Sequence, residues 1–135
     1  MVRRIFLVDD DPEFAEACRN FLEAAGYEVA CETDDAQAFA RIKEFAPDVV
    51  LLDIVMGAAL SGFEIARQMR DDPALSRIPV IFLTGYFQRA DSTVSAEQAL
   101  SQWPNVKYIL DKPVKPSLLL SLIQKLAQEA GGGVQ

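Results

Sequence analysis

Three consecutive aspartates, Asp9, Asp10 and Asp11, close the short apolar run RIFLV, and a fourth, Asp53, interrupts the apolar stretch VVLLDIVMG. Thr84 ends the run IPVIFLT, and Lys112 stands before Pro113, just after VKYIL. Carboxylates gathered without histidine suit a hard, oxygen-seeking cation. Mg2+ is the natural candidate, because it accepts a few carboxylates, keeps several waters and commonly shares its sphere with phosphate. A hydroxyl and an ammonium at the same place would hold anionic oxygens. Together these groups point to phosphoryl transfer, a chemistry that rests on positioning and charge neutralisation. One carboxylate could serve as nucleophile and become an acyl phosphate. A carboxylate within an apolar segment is costly unless it is paired, bound to a cation or placed at an edge, so the elements around these residues decide whether they meet.

Those elements alternate. RIFLV (4–8) reads as a strand, and Asp11-Pro12 as an N-cap with proline at the first helical position. Phe14, Ala17, Cys18, Phe21, Leu22 and Ala25 recur at helical spacing, and Gly26 closes that helix. YEVAC (27–31) is a second strand, and 35–46 a second helix with Phe39, Ile42 and Phe45 on one face. PDVVLLDI (47–54) is dense in apolar residues, as a strand covered on both faces must be. A third helix over 62–71, a strand over 78–84, a helix between 90 and 103, a strand over 106–110 and a last helix from about 115 complete the pattern. Such alternation implies a doubly wound parallel sheet with helices on both faces, and ligands of such sheets bind beyond the carboxyl ends of the strands. Asp9 to Asp11, Asp53, Thr84 and Lys112 all fall at those ends.

The composition narrows the functions. A chain of 135 residues suits one domain, and its net charge of −7, from 20 acidic and 13 basic residues, argues against direct nucleic-acid binding. The absence of histidine excludes a histidine-based triad or general base, and leaves Cys18 and Cys31 as small core residues. The apolar runs are too short to span a bilayer and the N-terminus lacks a signal-peptide core, so no membrane association and a cytoplasmic location are expected.

With these segments in order, the chain resembles the receiver domain of two-component response regulators along essentially its whole length. VDDD resembles the family's acidic pair, which implies Asp9 and Asp10 as Mg2+-site carboxylates, the second the direct ligand and the first acting largely through water. LLDIVMG resembles the phosphoacceptor segment, implying Asp53 as the phosphorylated residue and a metal ligand, with the Val55 backbone carbonyl as another. FLTG implies Thr84 as the hydroxyl that engages the phosphoryl group, and DKPV implies Lys112 as its counter-charge, with a cis bond before Pro113. The resemblance further implies a flavodoxin-like, three-layer α/β/α fold with five helices and strand order 2-1-3-4-5. Residues 1–128 are expected to form the receiver domain and 129–135 a flexible tail or the start of a linker. The implied partners are a histidine kinase or histidine phosphotransfer protein as donor, and an output protein or attached output domain. The start at Met1, just before the first strand, favours an N-terminal receiver or a complete protein. The role is that of a phosphoacceptor rather than an enzyme acting on a separate substrate.

Several positions depart from the family pattern. Gly57 stands where proline is common, and Gly62 comes one residue later than the family's glycine, so GAALS carries an extra residue. The position of the family's aromatic switch residue is Ile109, whereas Tyr108 would face the other side of a regular strand. The span from Thr84 to Lys112 is also longer than usual, so an altered fourth helix is expected there, with Trp103 in core or rim packing. Val55 and Tyr86 occupy positions that tune acyl-phosphate lifetime, and both are bulky, which implies slow autodephosphorylation. Two further readings compete. Asp9-x-Asp11, Thr84 and a later lysine also mimic the motif order of haloacid-dehalogenase-like phosphatases, with Asp9 as nucleophile. The same fold could also serve as a phosphorylation-independent binding domain.

Overall fold

The computed structural model describes residues 3–56, 61–84 and 104–132. Five parallel strands form one sheet in the order β2-β1-β3-β4-β5. They are β1 (Arg4–Val8), β2 (Glu28–Glu32), β3 (Val49–Asp53), β4 (Val80–Thr84) and β5 (Val106–Asp111). Helices α1 (Pro12–Ala24), α2 (Asp35–Phe45), α3 (Ser61–Asp71) and a C-terminal helix (Pro116–Gly132) are the four among the described residues. The helix expected between 90 and 103, and with it Trp103, lies outside them, as do Gly57 and Tyr86.

Alternating side chains divide the core into two layers. Phe6, Val8, Val50, Leu52 and Phe82 pack against Ala38 and Ile42 of α2 and Ile65, Ala66 and Met69 of α3. Ile5, Leu7, Val49, Leu51, Ile81 and Leu83 point to the opposite face, against Ala15, Cys18 and Leu22 of α1 and Leu119, Ile123 and Leu126 of the C-terminal helix. Every residue of β3 is buried, which is why its sequence is apolar without alternation. Cys18 is buried among these apolar groups, and burial first of all pushes its thiol up to about 12; it is a core residue rather than a reactive thiol.

Local chemistry sets the element ends. The Asp11 side chain accepts from the backbone N–H of Glu13 and Phe14, and Pro12 opens α1 without a donor to waste. After α1, Gly26 takes φ +101°, a left-handed conformation that side chains rarely adopt. Asp34 caps α2 in the same way as Asp11 caps α1, through the N–H of Ala36. The C-terminal helix runs to Gly132.

Strand β5 is irregular. Val80 pairs with Val106 but Ile81 pairs with Tyr108, so Lys107 is an extra residue, thrown out to solvent as a bulge. The bulge does not bring Tyr108 onto the face of Ile109. Tyr108 packs with the α1 and C-terminal-helix layer, Ile109 with the α2 and α3 layer.

Candidate functional site

Pairing places the carboxyl ends of the strands side by side: Val8 lies opposite Leu52, Asp53 opposite Leu83, and Thr84 opposite Asp111. Asp9 therefore emerges next to Asp53, and Lys112 leaves β5 toward both.

The acidic run splits into three roles. Asp9 is fully buried; its backbone N–H continues the β1–β2 ladder to Glu32 at 3.1 Å, and its Oδ1 accepts from the Asp11 N–H at 2.9 Å. Asp10 is exposed. Asp11 caps α1, as its position before Pro12 implies. Carboxylate oxygens of Asp9, Asp10 and Asp53 lie within 4.8 Å of one another.

Asp53 is only 4% exposed, with Oδ1 accepting from the Val55 N–H at 3.2 Å. The Lys112 ammonium bridges the two buried acids, 2.6 Å from Asp9 Oδ2 and 3.4 Å from Asp53 Oδ2. It also lies 4.5 Å from the centre of the Phe14 ring. The peptide bond between Lys112 and Pro113 is cis.

Among the described residues, two buried carboxylates and one exposed one gather against the Lys112 ammonium, an excess of negative charge. Burial, then the Asp9 charge, push Asp53 up to about 7, against the opposing pull of Lys112. Burial works against the Lys112 charge as well, but its bonds to Asp9 and Asp53 and their negative charges together hold its pKa above the usual lysine value. One ammonium does not neutralise the cluster, so the donor set retains both the charge and the hard oxygen ligands that a small divalent cation takes. The residues present fit Mg2+.

Gly62 bounds the site from α3. Its N–H donates to the Ile54 carbonyl at 2.9 Å, and a Cβ added there would stand 2.3 Å from the Asp53 carbonyl oxygen. The extra residue of the preceding loop therefore does not displace the glycine from the backbone of the Asp53 strand end.

Among the residues singled out in the sequence, Asp9, Asp10, Asp53 and Lys112 are thus brought together, with the backbone of Val55 beside them. Thr84 closes β4 at the same edge, and its side chain lies outside what is described. Phe14 was legible only as a core position of α1. Its three-residue offset from the Asp11 cap was the available signal, and nothing local indicated that a lysine distant in sequence would lie over it.

The chain is similar to known proteins in sequence and fold. The family model for the response regulator receiver domain matches residues 5–124. The DNA-binding response regulator MtrA of Mycolicibacterium smegmatis is 32% identical over 124 residues, 92% of this chain and 50% of that protein. The response regulator PleD of Caulobacter vibrioides is 30% identical over 128 residues, 95% of this chain and 27% of PleD. The chain thus spans about half of MtrA and a smaller share of PleD. Among solved structures, chemotaxis protein CheY4 of Vibrio cholerae superposes with a TM-score of 0.78 at 26% identity, covering 93% of this chain and 99% of that one. A CheY-like receiver domain protein from Methanospirillum hungatei gives 0.77 at 25% identity, covering 98% and 99%. The phosphatase alternative finds no support in these matches. Segment order, sheet topology and sequence agree, and the chain belongs to the response regulator receiver domain family.

Proposed function

We propose that this receiver accepts a phosphoryl group on Asp53 from a histidine kinase or histidine phosphotransfer protein, in a Mg2+-dependent reaction, and that the modification changes its affinity for an output partner. The observation that carries this reading is the placement of Asp53: buried at the end of the central strand, with Lys112 Nζ at 3.4 Å and two further carboxylates beside it. An Asp53 carboxylate oxygen attacks phosphorus, the P–N bond to the donor imidazole breaks, and an acyl phosphate forms. Asp9, Asp10, Asp53 and the Val55 carbonyl would hold Mg2+. When bound, the ion supplies charge neutralisation to the phosphoryl oxygens. Lys112 supplies a second positive charge there, and Thr84 its hydroxyl. Asp9 is the poorer nucleophile, because its oxygens are held more closely, at 2.9 Å by the Asp11 N–H and 2.6 Å by Lys112, than those of Asp53, at 3.2 Å by the Val55 N–H and 3.4 Å by Lys112.

The added charge biases the receiver between two states and so alters partner binding. Ile109, not an aromatic residue, holds the position on the α2 and α3 face of β5, so a switch carried by that position does not use an aromatic ring. With Val55 beside the site, water attack on the acyl phosphate is obstructed and the phosphorylated form is long-lived; Tyr86, the other position read as tuning this lifetime, lies outside the described residues. A cytoplasmic location and an output partner or attached output domain fit this role; no helix among the described residues is long and apolar enough to cross a membrane. The relative MtrA is described as DNA-binding. The acidic balance of these residues favours protein partners over direct contact with nucleic acid.

Incubation with acetyl phosphate or beryllofluoride and Mg2+, followed by intact-mass and NMR analysis, tests the assignment. Modification lost in Asp53→Asn supports it; modification that survives there and disappears in Asp9→Asn overturns it. Wild type that neither binds Mg2+ nor takes the group favours a phosphorylation-independent binding domain. Rapid phosphate loss, unchanged by Val55→Asn with Tyr86→Glu, would refute the long-lived form.

A further inference from the structure

Among the described residues, the Lys112 ammonium has the Asp9 and Asp53 oxygens on one side and an aromatic face on another. Phe14 belongs to the first turn of α1, half-buried, with its backbone N–H held by the Asp11 side chain at 3.3 Å and its side chain against the α1 layer of the core. Two anchors, the cap and the core, thus hold the ring 4.5 Å from Lys112 Nζ. The lysine side chain is itself a quarter exposed, and the ring covers a side of the ammonium that the Asp9 and Asp53 oxygens do not.

We infer that Phe14 is a positioning residue for phosphoryl transfer: its ring holds the Lys112 ammonium at the mouth of the Asp9–Asp53 pair. The inference rests on the receiver reading given above. A ring face attracts a cation through its quadrupole and adds no oxygen acceptor that would compete with an incoming phosphoryl group. An added carboxylate in the same place would bind the ammonium more tightly and deepen the negative charge of the site. The ring supports the charge and leaves the N–H groups available to oxygens. The lysine can then shift from its 2.6 Å contact with Asp9 toward a group on Asp53 without leaving the ring. The third aspartate of the run gains a purpose in this arrangement: by capping α1 it fixes the turn that carries Phe14.

The test compares Phe14→Leu, which keeps the apolar volume, with Phe14→Tyr, which keeps the ring. Phosphorylation by acetyl phosphate is followed at saturating Mg2+, and the Lys112 side-chain resonances are recorded by NMR in the unphosphorylated proteins. Phe14→Leu is expected to slow phosphorylation about fivefold, with Phe14→Tyr within about twofold of wild type. The upfield ring-current shift of the Lys112 ε protons is expected in wild type and Phe14→Tyr and not in Phe14→Leu. A Phe14→Leu protein as fast as wild type, equal slowing in both variants, or no ring-current shift in wild type overturns the inference. Should Phe14→Leu fail to fold, Phe14→Met takes its place with the same outcomes. A wild type that gains no phosphoryl group removable by Asp53→Asn shows instead that the receiver reading fails, and the positioning role falls with it; the Lys112 resonances then report the contact separately.

Discussion

Two charged networks in this protein look alike on paper and behave in opposite ways. On α3, Arg67 pairs with Glu64 and, at 3.1 Å, with Asp71, which Arg70 also holds at 2.9 Å. At the sheet edge, Lys112 pairs with Asp9 and Asp53. In the first network hydrogen bonds from arginine hold Glu64 and Asp71 below the usual carboxylate range. In the second, Asp53 is pushed up to about 7 although it too has a cationic partner. The difference is water: α3 side chains are half exposed, whereas Asp9 and Asp53 are buried. Solvent carries most of the charge cost for exposed pairs and makes the pair itself weak. Burial removes that support, and the Lys112 ammonium does not fully replace it for Asp53. A network that burial leaves short of positive charge is one that a cation or a change in ligand can act upon.

The largest effect should come from removing the Lys112 ammonium, the cation paired with both buried acids. Lys112→Met leaves Asp9 and Asp53 buried without it and should cost about 3 kcal/mol in urea unfolding of the metal-free protein, with part of the loss recovered in Mg2+. An unchanged midpoint would erase the distinction between the two networks.

Titration is the next test. The Asp53 carboxyl goes from an ordinary value of 3.8 to about 7 in the folded, metal-free protein. The folded state then holds the proton more tightly than the unfolded chain, so this group favours folding below its ordinary pKa. That contribution is lost as pH rises from about 4 to about 7. Carboxyl NMR in chelator should show it, and Mg2+ should suppress it. An Asp53 resonance that titrates with Glu64 would refute the comparison.

Backbone contact at the site ranks below charge. Gly62→Ala puts a methyl against the Asp53 carbonyl and should cost about 2 kcal/mol, measured by thermal or urea unfolding. Asp11→Ala removes the α1 cap and should cost about 1 kcal/mol by the same measurement. The smallest effect is reserved for the exposed network: Arg67→Ala should leave the unfolding midpoint and its salt dependence essentially unchanged. A loss matching that of Lys112→Met would show that exposure is not the controlling variable.

Much of the fold was legible because its signals are local. Helix periodicity and proline placement located the helices among the described residues, and unbroken apolar runs marked the strands buried on both faces. Asp11 as a cap needed only Pro12 beside it. Strand ends were less certain: β4 starts at Val80, later than the run IPVIFLT suggests, because Pro79 has no N–H to give to a ladder and only its carbonyl pairs, with the Val50 N–H. The extra residue in β5 was equally hidden, since VKYIL is a regular strand pattern until its neighbour requires Lys107 to be skipped.

By itself the sequence determined the order of strands and helices, the carboxyl-end location of Asp9, Asp10, Asp53, Thr84 and Lys112, and the chemical type of the site, because each depends on residue identity and nearby spacing. Only the tertiary structure decided which aspartate of the run is buried, that Lys112 lies closer to Asp9 than to Asp53, that Phe14 faces the ammonium, and that Gly62 touches the Asp53 backbone. Those contacts join segments far apart in the chain, and their energies depend on how much water the packed sheet and helices leave around each charge.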